Sequence, residues 1–207
     1  MINKQLVNPQ SIVIVGGSND IKKPGGKIVK NIIDGGFSGQ LSVINPKEKQ
    51  VQGLKSFTTV KDISNTDLAI LAIPAKYCLD AVKQLAKEKH TKAFIIISAG
   101  FSEANEDGQN LEKAIAEVVD SVDGCLIGPN CIGVINQNYK GVFTMPIPKF
   151  EPHGCDLISS SGATAVFIME AGISLGVKFA NVYSVGNCAQ IAVEDVLEYM
   201  DINYNSD

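Results

Sequence analysis

The feature that most constrains this chain is an alternation. A short apolar, largely β-branched run is followed by a glycine or proline break, then by a stretch with helical periodicity. The runs are Ser11–Val15, Leu41–Ile44, Leu68–Ile73, Ala93–Ile97 and Cys125–Ile127. Their unbroken apolarity predicts strands buried on both faces. Between them, Gly26–Asp34, Lys76–Lys89 and Asn110–Val119 gather their apolar residues on one helical face. Strands joined by crossover helices predict a parallel, doubly wound, Rossmann-like α/β sheet over residues 1–143.

The stretch 144–153 carries Pro146, Pro148 and Pro152 and reads as a linker. The alternation then restarts over 154–207, with strands at Asp156–Ile158 and Ala180–Val185 and helices at Gly162–Leu175 and Val193–Met200. Two βα units make a marginal sheet with open edges. The second unit is therefore expected to be incomplete here or completed by a partner.

Composition narrows the function classes. All 18 basic residues are lysine, set against 22 acids, for a net charge of −4. Without a basic stripe or the bidentate guanidinium of arginine, nucleic acid is a poor partner. The apolar runs, Ala93–Ile97 among them, are too short to cross a bilayer, and Met1–Leu6 lacks the apolar core of a signal peptide. The five cysteines (Cys78, Cys125, Cys131, Cys155 and Cys188) form no C-x-x-C pair. That usage suits reduced thiols in a cytoplasmic protein and predicts no metal site.

Ligands of open parallel sheets bind beyond the carboxyl ends of the strands. All five such ends carry special residues: Gly16-Gly17-Ser18, Asn45-Pro46-Lys47, Pro74, Ala99-Gly100-Phe101 and Gly128-Pro129-Asn130-Cys131. Together they favour a nucleotide-like ligand, because glycine permits close approach and exposed N–H groups suit phosphate. The loop after the first strand lacks the G-x-G-x-x-G spacing, and Lys47 stands where NAD would want an acid. NAD is disfavoured, while coenzyme A and NADP stay open.

These motifs, together with Ser98-Ala99-Gly100-Phe101-Ser102-Glu103 and Gly128-Pro129-Asn130-Cys131-Ile132-Gly133-Val134, resemble the CoA-binding domain of NDP-forming acyl-CoA synthetases. That family is similar to the α subunit of succinyl-CoA ligase. Leu157-Ile158-Ser159-Ser160-Ser161-Gly162-Ala163 and Ser184-Val185-Gly186-Asn187 resemble the start of its second, flavodoxin-like ligase domain. The resemblance implies that Gly16, Gly17 and Ser18 hold a CoA phosphate, and that the Asn45-Pro46-Lys47 turn meets the phosphorylated nucleotide end. Ile73 and Pro74 would line the path of the coenzyme, with Ser98, Ala99, Gly100, Asn130 and Cys131 near its thiol end.

The implied reaction is acyl-CoA + ADP + phosphate ⇌ acid + CoA + ATP, through an acyl phosphate and a phosphohistidine. The implied partners are a small acyl substrate, an ATP-grasp domain or subunit binding ADP or ATP with magnesium, and further subunits of an oligomer. Ser159, Ser161 and Gly162 end a strand and open a helix, an arrangement that suits an anion. The family more often has glutamine where Ser160 stands. His90 follows a lysine-rich helix end and His153 lies in the proline-rich stretch, so neither matches the phosphorylated histidine, which is expected beyond this chain. Two other readings are a stand-alone CoA-binding regulatory module and an NADP-linked oxidoreductase.

Overall fold

A computed structural model describes residues 1–203; residues 204–207, the end of the expected second unit, lie outside the described residues. The chain opens with a short helix, α1 (Lys4–Val7), and the first strand, β1 (Ser11–Val15). Then come α2 (Pro24–Asp34), β2 (Gln40–Ile44), the short strands β3 (Gln50–Val51) and β4 (Leu54–Phe57), and β5 (Leu68–Leu71). Next are α3 (Cys78–Glu88), β6 (Ala93–Ile96), α4 (Glu106–Asp120) and β7 (Cys125–Ile127). The remainder forms β8 (Gly133–Ile135), β9 (Lys140–Val142), β10 (Phe150–Ser159), α5 (Gly162–Ser174), β11 (Phe179–Ser184) and α6 (Val193–Asn203).

The first sheet has the order β3-β4-β2-β1-β5-β6-β7, parallel throughout except for the antiparallel pair β3–β4. Leaving β3 aside, this is the doubly wound dinucleotide-fold order, with the strand order reversing between β1 and β5. The period of two along each strand sorts its side chains between two cores. Ile12, Ile14, Leu68, Ile70 and Ile95 join one cluster; Val13, Val15, Ala69, Leu71, Phe94 and Ile96 join the other. Helices α3 and α4 cover the second face through Val82, Leu85, Ile115 and Val119.

The other face is covered differently from the sequence expectation. Helix α2 contributes Ile28, Val29 and Ile32, and the same cluster continues into Val134, Tyr139, Tyr183, Val185, Val196 and Met200. One of the first sheet's two cores thus includes side chains of the second unit. The second sheet runs β10-β11-β8-β9. β10 and β11 are parallel, and the β8–β9 hairpin adds antiparallel to β11, pairing Val134 with Tyr183. The chain's own segment 133–142, which the sequence reading places with the first unit, pairs along one side of this sheet. The stretch read as linker also yields structure, since β10 starts at Phe150.

Candidate functional site

The strand ends form one row because the sheet is parallel. Read across it, they run Asn45–Lys47 (after β2), Gly16–Ser18 (β1), Ile73–Pro74 (β5), Ser98–Gly100 (β6) and Gly128–Cys131 (β7). Four strand spacings of about 4.8 Å make a row of about 19 Å.

At the reversal point the backbone is closely packed. Gly16 has φ +89°, and a Cβ there would lie 2.5 Å from the carbonyl oxygen of Ala72 and 2.8 Å from Ile73 Cγ2. A Cβ on Gly25 would overlap the Gly16 carbonyl. These glycines therefore let loop, strand and helix touch, and so bring the N-terminus of α2 against the loop. Lys23, at the N-cap of α2, makes no side-chain cap bond, and Pro24 opens the helix. An uncapped helix start beside a glycine turn is a fit for a phosphate. Ser18 is buried, and its hydroxyl accepts from Asp20 N at 3.0 Å.

Asn45 is a structural tie as well as a candidate contact. Its Nδ2 donates to the Gly17 carbonyl at 2.8 Å, and its Oδ1 accepts from Lys47 N at 2.9 Å. Pro46 and Lys47 are exposed. Sequence reasoning missed the clamp over this loop. Gln52 Nε2 donates to the carbonyls of Ser18 and Gly26, both at 2.8 Å, and Asn19 bonds Glu48, Gln50 and Gln52. Gln52 and Gly53 sit at φ +49° and +86° in the two-residue turn between β3 and β4. Such a turn is usually signalled by Asn-Gly, so glutamine in the first place concealed it.

Further along the row, the Ser98 hydroxyl donates to the Ile73 carbonyl. Ala99 and Gly100 are exposed, and Gly100 takes φ +104°. Glu103 accepts from Gly100 N at 2.5 Å and from Phe101 N at 3.2 Å. Asn187, in the turn after β11, donates from Nδ2 to Glu103 and Glu112 and accepts from Asn130 Nδ2 at 3.2 Å. Burial alone would raise the Glu103 pKa, but the Asn187 amide and the backbone N–H groups outweigh it and hold the carboxyl below its ordinary value. Asn187 thus ties the second unit to two loops of the first, a role its sequence setting did not show.

Asn130 is exposed at φ +58°. Cys131 is 3% exposed, with Sγ 3.4 Å from the Ile96 carbonyl, and burial pushes its thiol up to about 12. A thiol so held stays protonated and packs; it is no nucleophile at neutral pH.

Asn130 and Cys131 share a cleft of about 460 Å³ with Ser160, Ser161, Gly162 and Ala163 at the start of α5. The two halves of the expected site therefore meet between the two sheets. Gly162 allows the approach, since a Cβ there would lie 2.9 Å from Ile132 Cγ2. The serine hydroxyls are largely engaged. Ser161 is the N-cap of α5 and accepts from Thr164 N at 3.2 Å, while Ser159 Oγ accepts from Ser161 N and donates to its carbonyl. Local turn and cap bonds engage both hydroxyls, so an anion in this cleft could be met by the first-turn backbone N–H groups of α5.

His90 is exposed at the end of α3, and His153 is exposed on β10. Among the described residues no cluster of His, Cys, Asp or Glu could hold a metal, and no helix is long and apolar enough to cross a membrane.

Comparison with known proteins agrees with this architecture. Residues 10–137 match the CoA binding domain family, and residues 152–205 match the succinyl-CoA ligase like flavodoxin domain. The β8–β9 hairpin straddles the end of the first match. The α subunit of acetate–CoA ligase [ADP-forming] II from Pyrococcus furiosus is 35% identical over 93% of this chain, which spans 42% of that protein. A crystal structure of a Pyrococcus horikoshii OT3 protein superposes with a TM-score of 0.90 at 33% identity, covering 98% of this chain and 46% of that one. The dinucleotide forming acetyl-coenzyme A synthetase 1 of Ca. Korarchaeum cryptofilum gives 0.88 at 26% identity, covering 98% and 44%. The chain spans less than half the length of these relatives. It belongs to the CoA-binding domain family, in the arrangement with a succinyl-CoA-ligase-like domain that ADP-forming acyl-CoA synthetases share.

Proposed function

We propose that this chain is the CoA-binding portion of an ADP-forming acyl-CoA synthetase, which interconverts acyl-CoA, ADP and phosphate with the free acid, CoA and ATP. The observation that carries this reading is spatial order. The row runs from Lys47, past the glycine loop, to Asn130, and there opens into the cleft at the start of α5. A long ligand with phosphates at one end and a reactive group at the other fits that sequence of environments. Gly16, Gly17, Ser18, Asn45, Pro46 and Lys47 would hold the phosphorylated end. Ile73, Pro74, Ser98, Ala99 and Gly100 would flank the middle, with Asn130 and Cys131 beside the thiol. Ser159 and Ser161 shape the turn at which Gly162 and the α5 backbone face phosphate.

The nucleotide, its magnesium and the phosphorylated histidine would be held by an ATP-grasp domain or subunit and by ligase-domain segments other than those described. The complete enzyme would be a cytoplasmic oligomer. Support for assembly comes from α5, where Phe167 and Leu175 are 72% and 82% exposed. Apolar groups so placed fit a component of a larger enzyme better than a stand-alone module.

The test is calorimetric titration of the chain with CoA, NAD and NADP. CoA alone should bind, and Lys47→Glu should weaken it about tenfold by replacing a phosphate partner with a like charge. Binding of NADP with CoA silent would refute the proposal and return the oxidoreductase reading.

A further inference from the structure

Asn187 stands in the turn after β11, and both ends of its amide are engaged by the first unit. Its Nδ2 donates to Glu103 at 2.5 Å, Glu112 at 2.9 Å and Ser102 Oγ at 3.1 Å, and its Oδ1 accepts from Asn130 Nδ2 at 3.2 Å. Its backbone is fixed as well, because Asn187 N donates to the Pro129 carbonyl at 2.9 Å. Gly186 permits that approach, since a Cβ there would lie 2.1 Å from the same oxygen.

These partners give the amide a direction. A carboxylate only accepts, and the Ser102 hydroxyl spends its own proton on Glu112 at 2.8 Å, so all three offer acceptors. Asn187 must turn its NH2 to them and its oxygen to Asn130. Asn130 must then turn its own NH2 to Asn187. Which end of the Asn130 amide is nitrogen and which is oxygen is thereby decided from the second unit.

Asn130 lines the cleft, at the far end of the strand-end row from Lys47. Its backbone is pinned by donation from Asn130 N to the Ser98 carbonyl at 3.0 Å. With Nδ2 committed to Asn187, Asn130 Oδ1 accepts from no group among the described residues. An acceptor held at that end of the row selects a ligand that brings a donor. The pantetheine arm of CoA carries one, the amide N–H nearest the thiol, and acylation of the thiol leaves that N–H in place.

We infer that Asn187 is a positioning residue of the coenzyme site: it fixes the Asn130 amide so that Oδ1 accepts from the pantetheine N–H nearest the thiol. The inference rests on the strand-end row being a CoA site. It makes one end of that site depend on the docking of the second unit, which supplies the orienting group.

The experiment is titration of the wild-type chain, Asn187→Ala, Asn130→Gly and the double variant with CoA, acetyl-CoA and 3′-phosphoadenosine 5′-diphosphate, which is CoA without its pantetheine arm. Glycine suits position 130 because φ there is +58°. Asn187→Ala should lose about fivefold for CoA and for acetyl-CoA, the scale of one hydrogen bond, and nothing for the truncated nucleotide. The double variant should lose no more than Asn130→Gly alone, because one residue acts through the other. In the wild type, the side-chain amide NMR signals of Asn130 and Asn187 should move with CoA and stay with the truncated nucleotide, a readout that needs no variant to fold.

Unchanged CoA affinity in Asn187→Ala would overturn the assignment. So would an equal loss for the truncated nucleotide, which marks a structural residue, or amide signals indifferent to CoA. Losses that add in the double variant would overturn the action through Asn130. A loss for CoA with none for acetyl-CoA would overturn the choice of donor and move it to the thiol. Failure of the wild type to bind CoA at all would locate the error in the underlying CoA reading instead.

Discussion

The two sheets solve the same burial problem with different resources. The first has six parallel strands whose two faces are each sealed by a contiguous core, and its side chains divide between them residue by residue. The second has four strands and takes two of them from a hairpin that precedes the proline-rich stretch. Its helix α5 is apolar nearly all round, with Ala165, Met169 and Gly172 buried but Phe167, Ile168 and Leu175 exposed. A sheet sealed on both faces can hold a ligand row rigidly. One that leaves an apolar helix face open is built to be joined, and the cleft lies where the two meet.

The sharpest way to break this comparison is to make the same substitution in each half. Phe94 on β6 is fully buried, so Phe94→Ala should destabilise the chain by about 3–5 kcal/mol through lost burial and a residual cavity. Chemical denaturation would read this as a lower midpoint with an unchanged slope.

A smaller effect is expected at the junction, where Glu103 links the loop after β6 to Asn187. Its carboxyl is held below the ordinary value near pH 4.3, so the ionised form is the stabilising one. The contribution is complete above that value and disappears as pH falls through the lower folded-state pKa. Melts of wild type and Glu103→Gln should therefore differ slightly at pH 7 and converge below about pH 4.3. A gap that persists at pH 3 would show that charge is not what matters there. The smallest effect belongs to Phe167→Ala, which should change stability by no more than about 0.5 kcal/mol, because that ring is already in water.

The same contrast explains what could be read from sequence. β1 and β7 have the bounds that their apolar runs indicated, because a strand buried on both faces writes itself as an unbroken run. β8 and β9 are three residues each, Gly133–Ile135 and Lys140–Val142, too short and too rich in glycine for a period to show. The pairing of β8 with β11 is set by tertiary contact. β10 continues through Pro152 as an edge strand, where a missing donor costs no ladder bond, so proline misled the reading into a linker.

In the site, the row of strand ends was legible because parallel topology puts every carboxyl end on one edge. The cleft was not, since Thr144 and α5 reach Asn130 only once the hairpin has folded back. Nor were the ties made by Gln52 and Asn187, whose amides look like any surface polar group until their partners are placed.

The central claim is a CoA site along the row of strand ends. Hydrogen–deuterium exchange of the chain, with and without saturating CoA, would map it. Protection should appear at the turns around 16–18, 45–47 and 128–131 and leave β10 and α6 unchanged. Protection confined to β10 and α6, with the strand-end turns exchanging as before, would contradict it.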